Sequence, residues 1–343
     1  MSKETEKKVE ILITFPLSEE QINKLKEVSP RLEINHLPVK SHEDIPEEIW
    51  NKAEVLITEK VIPPANIATS LKWIQFNYAG IDFATDKDIM EKEGIQITSL
   101  SGAAAPQVAE FAVTMMLALS HKLPSLHKFQ MNHEWPPDRF SRFSPKELRN
   151  STVGLVGYGS ISREIARLLV PFNVKILACK KNVMETRDNG YIIEGLGDPA
   201  GYLFTRLYPY QAIKSMMKEC DFVVVTVPRT KETHHLIAEE ELAVLKPTSF
   251  IIDVSRGGII KNAALKTALQ EKKIAGAALD VFEQEPLPKD SSLWDTQNLI
   301  ISPHIAGVSF QYNERAVDLI IENLKRYLSK KTLFNTFDPE LGY

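Results

Sequence analysis

The chain is short of cysteine: Cys179 and Cys220 are the only two, in unrelated contexts. This excludes a disulfide framework and cysteine-based metal spacing. It fits a reducing compartment, so a cytoplasmic location is expected. Long apolar runs are missing too. The most apolar stretch of its helix, residues 115–119, follows Gln107 and Glu110 by one to two turns, so no membrane span is expected. The N-terminal Met-Ser-Lys-Glu-Thr-Glu-Lys-Lys is charged and precedes only a short apolar run. A secretory leader needs a longer apolar core, and a transit peptide is poor in acids. Neither charge sign dominates: 41 Lys and Arg against 45 Asp and Glu leave a net charge of -4. That balance gives no reason to expect nucleic acid or an anionic membrane as partner. Internal repeats and low-complexity tracts are absent. What is present, 343 residues at 43% hydrophobic and 25% charged, is ordinary for a globular protein of two domains.

Strands and helices alternate along the first hundred residues, as in a parallel α/β sheet. Strands are expected at 9–15, 32–36, 55–58 and 73–77. Ser18-Glu-Glu-Gln21 has the form of a capping box opening a helix with Ile22, Leu25 and Val28 inward. A helix is expected to reach Trp50, and a short helical segment to follow Pro64. Residues 106–122 carry Val108, Phe111, Ala112, Met115 and Leu119 at helical spacing, a core-facing stripe. Arg139 and Arg142 belong to an expected loop after Trp135-Pro-Pro, and Pro145 suits the first turn of a short helix. Residues 174–179 read as a strand, and 182–209 as an irregular insertion or long surface loop with one short strand near Tyr191. A helix over 210–218 follows. The apolar runs 222–227, 250–254 and 275–279 suit central strands buried on both faces. A last long helix is expected over 309–330, with Val317, Ile320, Ile321, Leu324 and Leu328 on one side.

The chemistry starts at Val153-Gly-Leu-Val-Gly-Tyr-Gly-Ser-Ile-Ser-Arg, a buried strand, a glycine turn and a helix. This is most of a G-x-G-x-x-G dinucleotide fingerprint, with Ser162 at the third glycine position. Gly157 allows the tight turn, and Gly159 lets a pyrophosphate approach the backbone. The helix N-terminus offers free N–H groups and a positive dipole end to the phosphates. The third position needs only a small side chain, which serine provides.

Three polar residues fall just past three later strands, where ligands sit in open α/β sheets. Arg256 lies in Val-Ser-Arg-Gly-Gly, Glu285 in Glu-Gln-Glu-Pro and His304 in Ser-Pro-His-Ile-Ala-Gly. Arginine's planar fork can hold a carboxylate and a neighbouring carbonyl. Histidine can exchange a proton near neutral pH. A glutamate beside it would favour the imidazolium and fix the ring tautomer. With a nicotinamide, this is apparatus for hydride transfer to a 2-oxo acid. The remaining histidines, 36, 42, 121, 127, 133, 234 and 235, have no comparable setting and are read as surface or packing residues.

The motifs Tyr78-Ala-Gly-Ile-Asp82, Val156-Gly-Tyr-Gly-Ser-Ile161, Val227-Pro-Arg-Thr-Lys-Glu-Thr233, Val254-Ser-Arg-Gly-Gly258, Gly276-Ala-Ala-Leu-Asp-Val-Phe-Glu-Gln-Glu-Pro286 and Pro303-His-Ile-Ala-Gly307 occur in order. Through them the chain resembles the D-isomer-specific 2-hydroxyacid dehydrogenases, from about residue 9 to the last helix. The resemblance implies two α/β domains with the active cleft between them. Residues 105–305 would form a Rossmann-type doubly wound parallel sheet that binds the nucleotide. Residues 1–104 and 306–343 would form a smaller, discontinuous flavodoxin-like substrate domain. It implies a catalytic triad of Arg256, Glu285 and His304, with Arg256 and His304 also touching substrate. Ala79 and Gly80 would offer backbone N–H groups to the substrate carboxylate. The cofactor would meet Gly157, Tyr158, Gly159, Ser160, Ile161, Val227, Pro228, Thr233, Val254, Ser255 and His304, and Asp280 would take the nicotinamide carboxamide. Members are usually homodimers assembled through the nucleotide-binding domain. The chain departs from the pattern at Asp253, where asparagine is usual, at Arg229 and Lys261, and in the length of the 182–209 segment.

An NAD-specific unit would end its second strand in an acid that binds the ribose 2′-hydroxyl. Here the strand ends in Ala178-Cys-Lys-Lys181. Lys180 and Lys181 would attract a 2′-phosphate, so NADP is the expected cofactor, with NAD the alternative. The expected activity is reduction of a small 2-oxo acid such as glyoxylate, hydroxypyruvate or pyruvate. A second reading is a nucleotide-sensing protein of corepressor type without turnover. It is disfavoured because the sequence shows no appended disordered tail after the last helix. A third is a relative acting on phosphite or formate.

Overall fold

The computed structural model describes residues 7–339 and 341–342. The charged residues 1–6, part of the case against a leader, lie outside the described residues. The chain forms two compact units, Met1–Ala104 with Ser309–Tyr343, and Ala105–Val308.

The first unit is built on β1 (Val9–Ile13), α1 (Glu19–Lys26), β2 (Leu32–His36), α2 (Glu47–Lys52), β3 (Val55–Thr58), β4 (Trp73–Phe76) and β5 (Gln96–Thr98). The strands are all parallel, in the flavodoxin-like order β2-β1-β3-β4-β5. Central β3 and β4 are buried at every position, whereas edge strand β2 mixes buried and exposed residues. The capping box forms: Gln21 N donates to Ser18 Oγ at 3.2 Å, and Ser18 N to Gln21 Oε1 at 3.0 Å. The C-terminal helix Tyr312–Leu328 docks through buried Val317, Ile320 and Leu324. Its wholly buried Asn323 donates to Gln75 Oε1 on β4 at 3.0 Å and accepts from Phe334 N at 2.7 Å. Gln75 Oε1 also accepts from Thr98 Oγ1 at 2.8 Å, so the helix register is fixed by a satisfied polar network.

The second unit opens with α3 (Ala105–Ser120), α4 (Leu123–Met131) and α5 (Arg139–Phe143). A seven-stranded sheet follows: β6 (Thr152–Val156), β7 (Lys175–Cys179), β8 (Arg206–Tyr208), β9 (Phe222–Val225), β10 (Phe250–Asp253), β11 (Gly276–Leu279) and β12 (Leu299–Ile301). Its order is β12-β11-β10-β9-β6-β7-β8, parallel throughout. This is a doubly wound Rossmann-type sheet whose order reverses between β6 and β9, the kind of crevice where such folds bind ligands. β9, β10 and β11 are buried at every position, which is why they read as apolar runs, interrupted only by Asp253 at the end of β10. Helix α6 (Ser160–Leu169) follows β6 and packs against α3.

Several local expectations are corrected. Only turns follow Pro64 and Pro145. Arg139 and Arg142 lie in short helix α5, which Pro136-Pro137 precede rather than interrupt. There Asp138 and Arg142 pair one turn apart at 2.7 Å. In α3 it is Met116 that is fully buried, with Met115 turned partly outward. Tyr191 is in no strand; the strand of this region is β8, after the left-handed Gly195, Gly197 and Gly201 have ended the irregular stretch.

Candidate active site

Three turns leave the carboxyl ends of β10, β11 and β12 and carry Arg256, Glu285 and His304. His304 Nδ1 lies 2.7 Å from Glu285 Oε2. The other carboxylate oxygen of Glu285 accepts from Phe282 N at 2.9 Å, so the carboxylate is held at both ends. A histidine that gives Nδ1–H to a carboxylate presents Nε2 for proton exchange. Both side chains remain substantially accessible, at 44% for His304 and 34% for Glu285.

His304 has φ 54°, a left-handed conformation that costs a non-glycine residue on the order of 1 kcal/mol or more. The turn keeps it because Asp280 grips both sides. Asp280 Oδ1 accepts from Ser302 Oγ at 2.5 Å and Ile305 N at 2.9 Å, and Oδ2 accepts from Ala306 N at 2.9 Å. Three of its roughly four acceptor positions are thus in use. The motif singled out Asp280 for a cofactor contact, but its part in holding the His304 turn was not legible, since its donors are mostly backbone.

Arg256 is half-buried and donates from Nη1 to its own neighbour's carbonyl, Ser255 O, at 2.8 Å. The next residue explains the glycine pair. A Cβ on Gly257 would stand 1.7 Å from Phe282 O, so only glycine lets the Arg256 turn lie against the segment leading to Glu285. Val254 and Ser255 are buried behind it. Asp253, at the end of β10, accepts from Ser255 N at 3.0 Å and from Ser255 Oγ. Burial pushes its carboxyl up to about 7, the charge of Asp280 adds to that, and the Ser255 bonds oppose it. Well below neutral pH it is therefore mostly the uncharged acid, close in polarity to an asparagine.

At the other end of the edge, Gly157 turns with φ 94°, and an added Cβ would meet Thr226 Oγ1 and Val227 at 3.0 Å. Gly159 faces open space, and no side chain caps the first turn of α6. These features fit a dinucleotide: the helix N–H groups are unclaimed by a cap, and the backbone is approachable. Ser160 and Ile161 begin the helix partly exposed, and fully buried Ser162 meets Thr226 Oγ1 at 2.8 Å. Val227 and Pro228 follow β9, and Thr233 closes that turn by donating to Pro228 O at 2.7 Å. Ala79 and Gly80 belong to the first unit, in the turn after β4.

The 182–205 segment is irregular but not loose. Buried Arg163 of α6 donates to Asp198 O at 2.5 Å, Thr186 O at 2.6 Å and Tyr158 O at 3.2 Å. Glu164 Oε2 accepts from Gly197 N at 2.7 Å. Buried Tyr158 donates its hydroxyl to Asp198 Oδ2 at 2.7 Å. Asp198 also accepts from the backbone N–H of Gly201, Tyr202 and Leu203. Burial alone would raise the Asp198 carboxyl; these donors outweigh it and hold it below the usual range. Lys180 donates to Glu185 O at 2.8 Å, and burial lowers its ammonium from the usual lysine range. Lys181 pairs with Glu232 at 2.8 Å. Among the described residues no cluster of three or more His, Cys, Asp or Glu could hold a metal. No described helix is long and apolar enough to cross a membrane.

Comparison with known proteins adds to this geometry. Residues 113–306 match the family model described as D-isomer specific 2-hydroxyacid dehydrogenase, NAD binding domain. The chain is 35% identical to a glyoxylate reductase of Thermofilum pendens over 83% of its own length and 80% of that protein's. Among solved structures it is similar to a D-isomer specific 2-hydroxyacid dehydrogenase family protein of Aeromonas salmonicida, with TM-score 0.76 and 29% identity, covering 97% and 99% of the two chains. A dehydrogenase of the same description from Xanthobacter autotrophicus, solved with NADPH and MES, has the same fold at TM-score 0.80 and 23% identity, covering 98% and 100%.

Proposed function

The chain belongs to the D-isomer specific 2-hydroxyacid dehydrogenases, nicotinamide-dependent oxidoreductases of the CH–OH group, and from that premise we propose that it reduces a small 2-oxo acid of the glyoxylate or hydroxypyruvate type, with His304 as the general acid. The observation that carries this is the 2.7 Å contact between His304 Nδ1 and Glu285 Oε2 on a turn braced by Asp280.

The nicotinamide, when bound, supplies the hydride. His304 gives its Nε2 proton to the substrate carbonyl oxygen as that oxygen gains charge. Glu285 holds Nδ1 and so leaves Nε2 for that exchange. Arg256 polarises the carbonyl and anchors the carboxylate. Val227, Pro228, Thr233, Val254 and Ser255 shape the cofactor's bed. Lys180 and Lys181, at the end of β7, favour NADP over NAD. Exposed Leu123, Leu126, Met131, Trp135 and Phe140, on and between α4 and α5, support a homodimer built through this unit. The two unpaired, buried cysteines suit a reducing cytoplasm.

The test is to follow NADPH and NADH oxidation by the purified protein across a panel of 2-oxo acids. Turnover of glyoxylate or hydroxypyruvate, faster with NADPH, is expected. Lys180→Asp should weaken NADPH use by about tenfold and improve NADH use. Equal or better kcat/KM with NADH in the wild type would refute the preference. Tight nucleotide binding without turnover of any acid would replace the enzyme reading with a nucleotide-sensing one.

A further inference from the structure

The two lysines that follow β7 each face a carboxylate, Lys180 one of its own loop and Lys181 one of the turn after β9. Lys180 Nζ is tethered to the backbone carbonyl of Glu185 at 2.8 Å and lies 3.9 Å from that residue's own Oε2. Lys181 Nζ lies 2.8 Å from Glu232 Oε2, in the turn after β9. Gly157 N donates to Cys179 O at 2.8 Å, so Lys180 starts directly beside the glycine turn, where an adenosine ribose would lie. Besides Glu185, the charges acting on Lys180 are those of Arg163 and Asp188, and both are engaged. Arg163 is buried and spends its guanidinium on three carbonyls, and Asp188 lies 3.4 Å from it. Glu185 and Glu232 are instead exposed, at 47% and 60%, and Glu185 Oε1 accepts from Asn189 Nδ2 at 2.5 Å.

We propose that Glu185 and Glu232 set how strongly this chain discriminates between a 2′-phosphorylated and a plain adenosine ribose, by competing with the phosphate for Lys180 and Lys181. This rests on the cofactor reading above. A 2′-phosphate carries the same kind of charge as the two carboxylates and needs the same ammonium groups. It must displace them, or bind beside them against their repulsion. The 182–205 segment is therefore a specificity element. It brings Glu185 to Lys180, while Arg163, Tyr158 and Asp198 hold the segment to the glycine turn and α6.

The experiment is calorimetric titration of the full chain with 2′,5′-ADP and with 5′-AMP. Replacing both acids (Glu185→Gln with Glu232→Gln) should tighten 2′,5′-ADP about fivefold and leave 5′-AMP within about twofold of wild type. The gain should shrink as salt rises, since both acids are exposed. Unchanged or weaker 2′,5′-ADP binding would overturn the proposal, because the acids would then order the lysines rather than compete. A parallel titration of Lys180→Ala with Lys181→Ala separates the two levels. If that variant binds 2′,5′-ADP as wild type does, the NADP reading fails and this inference with it. If the lysines matter and the acids do not, only this inference fails.

Discussion

Arg163 and His304 both sit at the carboxyl edge of the seven-stranded sheet, and their surroundings are opposite. Arg163 is 1% exposed, with its guanidinium spent on backbone carbonyls of the 182–205 segment. His304 is largely open, on a left-handed turn, and touches one carboxylate. The proposed nucleotide end thus holds its shape by burial, and the proposed reacting end by a few oriented hydrogen bonds around an accessible ring. A group that must exchange protons needs access, and its precision has to come from the turn that carries it. A group that only holds a segment in place can be buried completely, provided every donor is satisfied.

This contrast can be broken at either end. The largest effect is expected from Gly257→Val. Its Cβ would meet Phe282 O at 1.7 Å, so the Arg256 turn must move. A displacement of this kind should lower kcat about a hundredfold or more, with nucleotide affinity little changed, as steady-state kinetics beside fluorescence titration would register. At the other end, Asp198→Ala removes the partner of Tyr158 and the acceptor of three backbone N–H groups. It should destabilise the protein by about 2–3 kcal/mol and raise the KM for cofactor more than it lowers kcat. Asp253→Asn should act least in acid, with an effect that grows from the ordinary aspartate range up to about pH 7. The folded chain raises this acid to about 7, so it holds the proton more tightly than the unfolded chain does. Its contribution is fully present below the ordinary aspartate range and is lost as pH rises through about 7. The variant should match wild type near pH 4 and be more stable at pH 8, in denaturant unfolding at both values.

The same contrast explains what could be read from the sequence. Parallel strands buried on both faces are mostly apolar, so β3, β9, β10 and β11 stood out as runs. The glycine turn and the polar residues past β10, β11 and β12 were legible because turn chemistry and strand ends are local. The anchoring of the 182–205 segment was not. In Ser-Ile-Ser-Arg-Glu, Arg163 and Glu164 look like solvated helix charges, and their partners are carbonyls and an N–H that any residue could supply. Asp280's hold on the His304 turn was hidden for the same reason. Pro64 and Pro145 misled because proline suits a turn as well as a first helical turn.

The central claim is that His304, held by Glu285, is the acid of the reaction. It is tested most directly by comparing NADPH-dependent glyoxylate reduction in wild type and His304→Gln, with NADPH affinity measured alongside. The account predicts a fall in kcat of about a hundredfold or more, with NADPH affinity within about threefold. A variant that retains full activity would contradict it.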